Sequence, residues 1–362
     1  MFRPQKILVT GGCGFVGHHL VRTLVEDHRI SVVNVDKLSY AANPEALSDL
    51  TDEPNYTFER VDLCKPAALS AVFATHRPDA VIHLAAESHV DRSIADPDAF
   101  IQTNLVGSYH LLQASLAYWR SLPQAAAACA ETGTASLSQE NFRFLHVSTD
   151  EVYGSLPGDA PGFCEHSPYE PHSPYSASKA GADHLVRAWH TTYGLPALIG
   201  HPCNLFGPGQ YPEKLIPRVL RNCLRGEPIP IYGDGTQRRE WLYVKDCVDA
   251  LFTVLMKGRV GESYNIGEGT AQRNIDLVRT LCRCLDALAP ELASKAASHT
   301  NPPFADLIRW VADRPGHDTR YALDSSKLHE ELGWAPRHAF EESLHDTVAW
   351  YLAQRSWLES RT

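Results

Sequence analysis

The sequence predicts an α/β protein with a doubly wound parallel sheet and a smaller, mixed domain toward the C-terminus. Three observations predict it: short apolar runs that read as buried strands, helix-spaced apolar stretches between them, and a glycine cluster at the first strand-to-helix junction. Ile7-Leu8-Val9-Thr10 is the first strand, and residues 17–27, apolar at Leu20, Val21, Leu24 and Val25, are the first helix. Ser31-Val32-Val33-Asn34-Val35 is the next strand, and residues 56–61 are strand-like. Ala80-Val81-Ile82-His83-Leu84 and Phe144-Leu145-His146-Val147-Ser148 follow, with a helical stretch over 101–119 between them. Strands separated by helices imply parallel order. Beyond about Gly207 prolines and glycines thicken and the rhythm loosens. Residues 1–205, joined by parts of 236–265, are therefore predicted as the main domain, and 206–362 mainly as the second. Phe340, Leu344, Val348 and Leu352, spaced by four, mark a C-terminal helix. The alanine-rich stretch 124–140 reads as a surface insertion without chemistry.

A length of 362 residues suits one large α/β unit or a main domain with a smaller one. A net charge of −10 argues against nucleic-acid binding driven by bulk charge. Met1 leads into a strand without an apolar signal core, and no run of about 18 apolar residues predicts a membrane span. Nine scattered cysteines without disulfide spacing fit a reducing, cytoplasmic setting. Cys282 and Cys284 are expected to be helix residues, and no metal is implied.

The glycine cluster is Thr10-Gly11-Gly12-Cys13-Gly14-Phe15-Val16-Gly17. Without a Cβ, Gly11, Gly14 and Gly17 let backbone approach a pyrophosphate, whose charge meets the helix N-terminal amides. Asp36 follows the second strand, placed to bind both hydroxyls of an adenosine ribose. Its carboxylate would repel a 2′-phosphate, so the expected cofactor of this Rossmann-like domain is NAD. Asp62 with Leu63 reads equally as an adenine contact or a surface turn. Downstream, Tyr175-Ser176-Ala177-Ser178-Lys179 places a phenol and an ammonium on one helix face, with Pro174 suited to the first helical position. A tyrosine with a pKa of about 10 is a poor base at neutral pH, and a nearby cation is expected to lower it.

These two motifs together resemble the extended short-chain dehydrogenase/reductase superfamily. The resemblance narrows at Ser148-Thr149-Asp150-Glu151-Val152-Tyr153-Gly154, where Thr-Asp-Glu is similar to the dTDP-glucose 4,6-dehydratase family. Further matches are His83-Leu84-Ala85-Ala86-Glu87-Ser88-His89-Val90-Asp91-Arg92-Ser93, Pro212-Glu213-Lys214-Leu215-Ile216-Pro217, Pro230-Ile231-Tyr232-Gly233-Asp234-Gly235, the stretch 239–246, Tyr264-Asn265-Ile266-Gly267 and Asp313-Arg314-Pro315-Gly316-His317-Asp318.

The resemblance implies a reaction on a nucleoside-diphosphate glucose. Tyr175 would take the C4-hydroxyl proton as hydride leaves for NAD, and the resulting ketone acidifies C5. Glu151 would remove the C5 proton, and a protonated Asp150 would deliver a proton to the departing 6-hydroxyl. Hydride then returns to C6. Adjacent carboxyls in opposite protonation states suit such an elimination. Thr149 would hydrogen-bond the sugar 4-oxygen. Phe15, Val16, Lys37, Leu38, Ser39, Leu84, Ala85, Ala86 and Thr103 are implied as cofactor contacts. Ser88, Asn204, Lys214, Leu215, Pro230, Ile231, Tyr232, Asn274 and His317 are implied as substrate contacts, with Arg239 and Arg314 on the diphosphate.

One stretch departs from the family pattern. Asn204-Leu205-Phe206-Gly207-Pro208 stands where relatives carry Asn-Asn-Tyr-Gly-Pro, which removes two polar groups from the expected carboxamide side of the cofactor. dTDP-glucose is the expected substrate and UDP-glucose the alternative. A 4-epimerase or decarboxylase, and a silent NAD-binding protein, remain as other readings. Relatives pair through the helices over 101–119 and 174–193, which implies a homodimer, although their apolar residues would equally cover the sheet.

Overall fold

Alternation along each strand decides the layering. The computed structural model describes residues 2–124, 137–290 and 303–361. In β1 (Lys6–Thr10), Ile7 and Val9 join one apolar cluster while Leu8 joins another on the opposite face. The same alternation recurs in β4 (Ala80–His83), where Ala80 and Ile82 face one way and Val81 the other. Strands buried on both faces need helices above and below, which is what the intervening segments supply.

The chain runs through β1, α1 (Phe15–Arg22, prolonged by a π-helical turn, Thr23–Asp27), β2 (Ser31–Val35), β3 (Tyr56–Glu59), α2 (Pro66–His76) and β4. It continues through α3 (Val90–Ala95), α4 (Asp98–Phe100), a π-helical stretch (Ile101–Gly107), α5 (Ser108–Ser121), β5 (Arg143–Val147), α6 (Pro174–Tyr193) and β6 (Ala197–Pro202). The second half holds β7 (Asn204–Phe206), α7 (Leu215–Arg225), β8 (Ile229–Tyr232), β9 (Arg238–Tyr243), α8 (Val244–Lys257), β10 (Ser263–Ile266), β11 (Ala271–Arg273), α9 (Asn274–Leu288) and β12 (Ile308–Val311).

Seven strands form one parallel sheet in the order β10-β6-β5-β4-β1-β2-β3. The chain leaves β1 toward β2 and β3, then returns to place β4 on its other side. This reversal opens a crevice at the carboxyl ends of β1 and β4, the place where open α/β sheets bind ligands.

The second half is not one continuous lobe. β7, β9 and β11 form a three-stranded sheet, and β8 pairs with β12. Their apolar faces pack with α7, α9 and the helix Phe340–Ala353 into a third cluster containing Phe206, Ile216, Val278 and Val348. Yet β10 pairs with β6 in the main sheet, and Val248, Leu251 and Leu255 of α8 enter the main core. Leu323, Leu328, Leu332 and Trp334 also return to it, a crossing the sequence expectation did not include. The chain therefore stitches the two lobes together on both sides of the crevice.

Most of the alanine-rich insertion, residues 125–136, lies outside the described residues. Among the described residues no helix is long and apolar enough to cross a membrane, and the eight described cysteines are free thiols. Cys282 and Cys284 lie in α9.

Candidate active site

The first turn after β1 is built from close contacts that side chains would block. Gly11 has φ +72°, and a Cβ there would sit 2.7 Å from the Ala85 backbone. A Cβ on Gly17 would lie 2.1 Å from the Gly11 carbonyl oxygen, so α1 cannot approach the turn with any larger residue. Gly14 caps α1 and leaves its first amides facing the crevice, a ready site for a phosphate anion. At the end of β2, Asp36 Oδ2 accepts the Cys13 amide (3.0 Å) and Oδ1 the Leu38 amide (2.8 Å). Those bonds fix the carboxylate beside the glycine turn, and burial pushes its pKa above the usual range.

One cleft of about 440 Å³ runs from this turn across the sheet edge to the second lobe. Gly11, Gly14, Phe15, Val16, Gly17, Asp36, Lys37, Ser39, Asp62, Leu63, Leu84, Ala85, Ala86 and Thr103 line its first half. Lys37 Nζ donates to Thr103 Oγ1 at 2.9 Å, which ties the loop after β2 to the opposite wall. Leu38 does not line this cleft. Its backbone is left-handed (φ +60°), and it borders a side groove with Arg60 instead. These residues fit a dinucleotide with two free ribose hydroxyls: a cradle too tight for any Cβ, a helix N-terminus and a fixed carboxylate.

At the centre of the cleft stands the end of β5. Thr149 caps a short 3₁₀ turn (Asp150–Tyr153), its hydroxyl accepting the Glu151 amide (3.3 Å) and donating to Asp150 Oδ1 (3.2 Å). The two carboxyls then part. Asp150 is 2% exposed, and Oδ2 has no partner within the described protein. Burial, the neighbouring Glu151 and the buried Glu240 hold its pKa well above the usual range. Glu151 is also raised by burial, but Lys214, Arg314 and Arg239 all pull it back. Asp150 is thus the carboxyl that keeps a proton, and Glu151 the one that ionises first.

Opposite them, α6 begins with a reciprocal capping box between Ser173 and Ser176, with Pro174 at its first position. That cap sets the register that brings Tyr175 and Lys179 to the cleft. The expected lowering of the phenol by the ammonium is not what the protein alone produces. Lys179 Nζ donates to the Val147 carbonyl (2.7 Å), while burial and the charge of Glu151 push Tyr175 above the ordinary tyrosine value. Burial in turn lowers Lys179 to about 8. The phenol therefore stays protonated until further positive charge arrives beside it.

The far half of the cleft brings together Ser88, Asn204, Lys214, Leu215, Pro230, Ile231, Tyr232, Arg239, Asn274, Arg314 and His317. Arg239 is 4% exposed, lies 4.2 Å from the Tyr321 ring centroid and donates to the Asp318 carbonyl. Arg314 Nη1 binds Asp91 Oδ1 (3.1 Å). Asn204 Oδ1, Asn274 Oδ1 and Arg314 Nε are buried without a protein partner. An unmet buried polar atom costs about 1–3 kcal/mol, so a polar ligand would be stabilised here. Cleft residues given no role from sequence include Asp91, Gln210, Gln237 and Tyr321. Asp91 alone carried a signal, as part of the His83–Ser93 match.

Of the two departures, only Leu205 lines the cleft. Phe206 is fully buried in the second lobe, its ring 5.6 Å from Tyr243 and 5.2 Å from Phe340. Its missing hydroxyl therefore bears on core packing, and the expectation that it alters the cofactor side is corrected.

Comparison with known proteins agrees with this geometry. The family model for GDP-mannose 4,6 dehydratase matches residues 8–347. The dTDP-glucose 4,6-dehydratase of Neisseria meningitidis serogroup B is 51% identical over 98% of this chain and 96% of its own length. That of Escherichia coli K12 is 49% identical, over 98% and 95%. The crystal structure of dTDP-glucose 4,6-dehydratase from Streptomyces venezuelae, solved with NAD bound, superposes with a TM-score of 0.85 at 39% identity, covering 99% of this chain and all of that one.

Proposed function

This chain belongs to the dTDP-glucose 4,6-dehydratase family, and on that premise we propose that it converts dTDP-glucose, with NAD, into dTDP-4-dehydro-6-deoxyglucose and water through Thr149, Asp150, Glu151, Tyr175 and Lys179. The observation that carries the reading is the pair of adjacent carboxyls with divergent environments, facing Tyr175 across a cleft that begins at a dinucleotide turn.

NAD, when bound, supplies a reversible hydride acceptor. The residues around Gly11, Gly17 and Asp36 would hold its pyrophosphate and ribose, and Leu84, Ala85, Ala86 and Thr103 its remaining length. The chain's own groups manage the protons. Tyr175 would accept the proton of the sugar 4-hydroxyl once the positive charge of bound NAD joins the Lys179 ammonium in favouring the phenolate. Thr149 donates to the 4-oxygen. Once C4 is a ketone, the C5 proton is acidic enough for Glu151 to remove. Asp150, held protonated by burial and by its acidic neighbours, delivers its proton to the 6-hydroxyl as water leaves. A 4-epimerase needs no such pair, and neither does a silent binding protein.

Arg239, Arg314 and Lys214 supply positive charge for the diphosphate, and Pro230, Ile231 and Tyr232 frame the base. Thymine differs from uracil by one methyl, worth about 1–3 kcal/mol in an apolar pocket. Incubation with dTDP-glucose should give the alkali-shifted ultraviolet absorbance of a 4-keto sugar, with UDP-glucose a poorer substrate. No such product from either nucleotide sugar would overturn the assignment.

We also infer a cytoplasmic homodimer. α5 and α6 lie side by side, and Tyr109 and Tyr193 leave apolar rings partly exposed on that face. Sedimentation at twice the chain mass supports this; a monomer across micromolar concentrations contradicts it.

A further inference from the structure

Asp183 is a fully buried carboxylate that the reaction does not use. It lies on α6, one helical turn past Lys179 and two past Tyr175, so the three side chains share a face that runs along the end of β5. Two of them meet neighbouring pieces of that strand end. Lys179 reaches the Val147 carbonyl (2.7 Å), and Asp183 Oδ2 accepts from the Ser148 hydroxyl (2.7 Å).

The other groups in contact with Asp183 are hydroxyls and imidazoles. The Tyr169 hydroxyl donates to Oδ2 (2.9 Å), and His201 Nε2 lies 3.2 Å from the same oxygen. His146 Nε2 is 3.1 Å from Oδ1 but off the line of a hydrogen bond, and burial lowers its pKa to about 4, so it is uncharged at neutral pH. Tyr153 adds a further buried phenol. Arg187, partly open to solvent, reaches the cluster only through the Tyr169 hydroxyl at 2.9 Å and makes no direct bond to Asp183. Lys179, for its part, faces His83, His146 and Tyr175, none of which supplies a negative charge at neutral pH. A buried anion and a buried cation thus sit one turn apart, and neither touches a permanently charged group of opposite sign. Isolated buried charges are costly, and in a dry interior they act on one another strongly across several ångströms.

We propose that Asp183 is a positioning residue that acts through Lys179: its carboxylate is the counter-charge that keeps the Lys179 ammonium protonated at the working pH, while its bond to Ser148 holds the strand end that carries Thr149, Asp150 and Glu151. In keeping with this, Asp183 is the acidic group that raises Lys179 against the lowering effect of burial.

The test is the pH dependence of kcat for Asp183→Asn, a nearly isosteric change. The basic limb, where Lys179 loses its proton, should move down by a pH unit or more. Activity should lie within a few-fold of the parent near pH 6 and fall at least tenfold below it near pH 8. Tyr169→Phe removes a neutral hydrogen bond from Asp183 without touching the charge, and should leave the limb in place. A uniform loss at every pH in Asp183→Asn, or an equal limb shift in Tyr169→Phe, would overturn the proposal. Stability gives a second readout that survives poor folding of one variant. Lys179→Met and Asp183→Asn should each destabilise the protein, and the double variant should be more stable than either. Additive losses would contradict a mutually balancing pair.

Discussion

At the scale of single residues, Leu205 and Phe206 show how adjacent positions in one motif answer to different forces. Leu205 faces the cleft, so Leu205→Asn restores a polar group there and should lower the NAD dissociation constant by about 2–10-fold, the worth of one neutral hydrogen bond. Calorimetric titration checks it, and an unchanged constant would place Leu205 away from the cofactor. Phe206 is core, so Phe206→Tyr buries a hydroxyl among apolar rings. Denaturant unfolding should show a loss of about 1–3 kcal/mol, with NAD affinity unmoved. The sequence carried the motif but not the direction of each side chain, because a three-residue strand turns neighbours to opposite sides. Tyr175 teaches the same lesson. Its i to i+4 spacing to Lys179 was plain from sequence, whereas the phenol's charge is set by burial and by Glu151, which is remote in sequence.

At the scale of elements, the glycine turn was the most legible part of the chain, because its chemistry is local. The structure adds that Gly11 and Gly17 are demanded by packing as well as by any phosphate. Gly17→Ala should destabilise the protein by about 1–3 kcal/mol through overpacking against the Gly11 carbonyl, and NAD binding should weaken with it. A variant with full stability and weakened NAD binding would mean that the turn relaxes freely. Helix α6 was legible from Pro174 and the Tyr175–Lys179 spacing, while the Ser173–Ser176 cap came from the structure. What sequence could not supply was Asp183 as a buried charge, because its partners come from β5, β6 and the loop before α6. The return of residues 323–334 to the main core was hidden for a related reason, whereas parts of 236–265, which hold α8 and β10, were expected there. Apolar spacing tells that a face is buried, not against which lobe.

At the scale of the whole molecule, the two lobes are joined across the crevice, and histidines take part in the joint. His19 Nε2 donates to the Pro208 carbonyl (2.9 Å), and its pKa is lowered by burial to about 3, as that of His18 is to about 4. The unfolded chain takes up these protons near pH 6.5 while the folded one refuses them. Each histidine's stabilising contribution is therefore whole above pH 6.5 and is lost as pH falls toward its folded value, at up to about 1.4 kcal/mol per pH unit. Raised carboxyls such as Asp150 act with the opposite sign, so the difference between parent and His19→Gln isolates the effect. The melting temperature of the variant should fall less steeply between pH 6.5 and 4. Parallel curves would show that His19 is not buried neutral.

The joined lobes matter because they set Asp150 and Glu151 between a cofactor turn on one side and three cations on the other. In the mechanism proposed above, that placement turns a hydride-transfer fold into one that eliminates water, and Glu151→Gln in deuterated solvent tests it most directly. With dTDP-glucose, the variant should still build NADH absorbance while the sugar C5 proton remains unexchanged by NMR. C5 exchange at the parent rate would contradict the account.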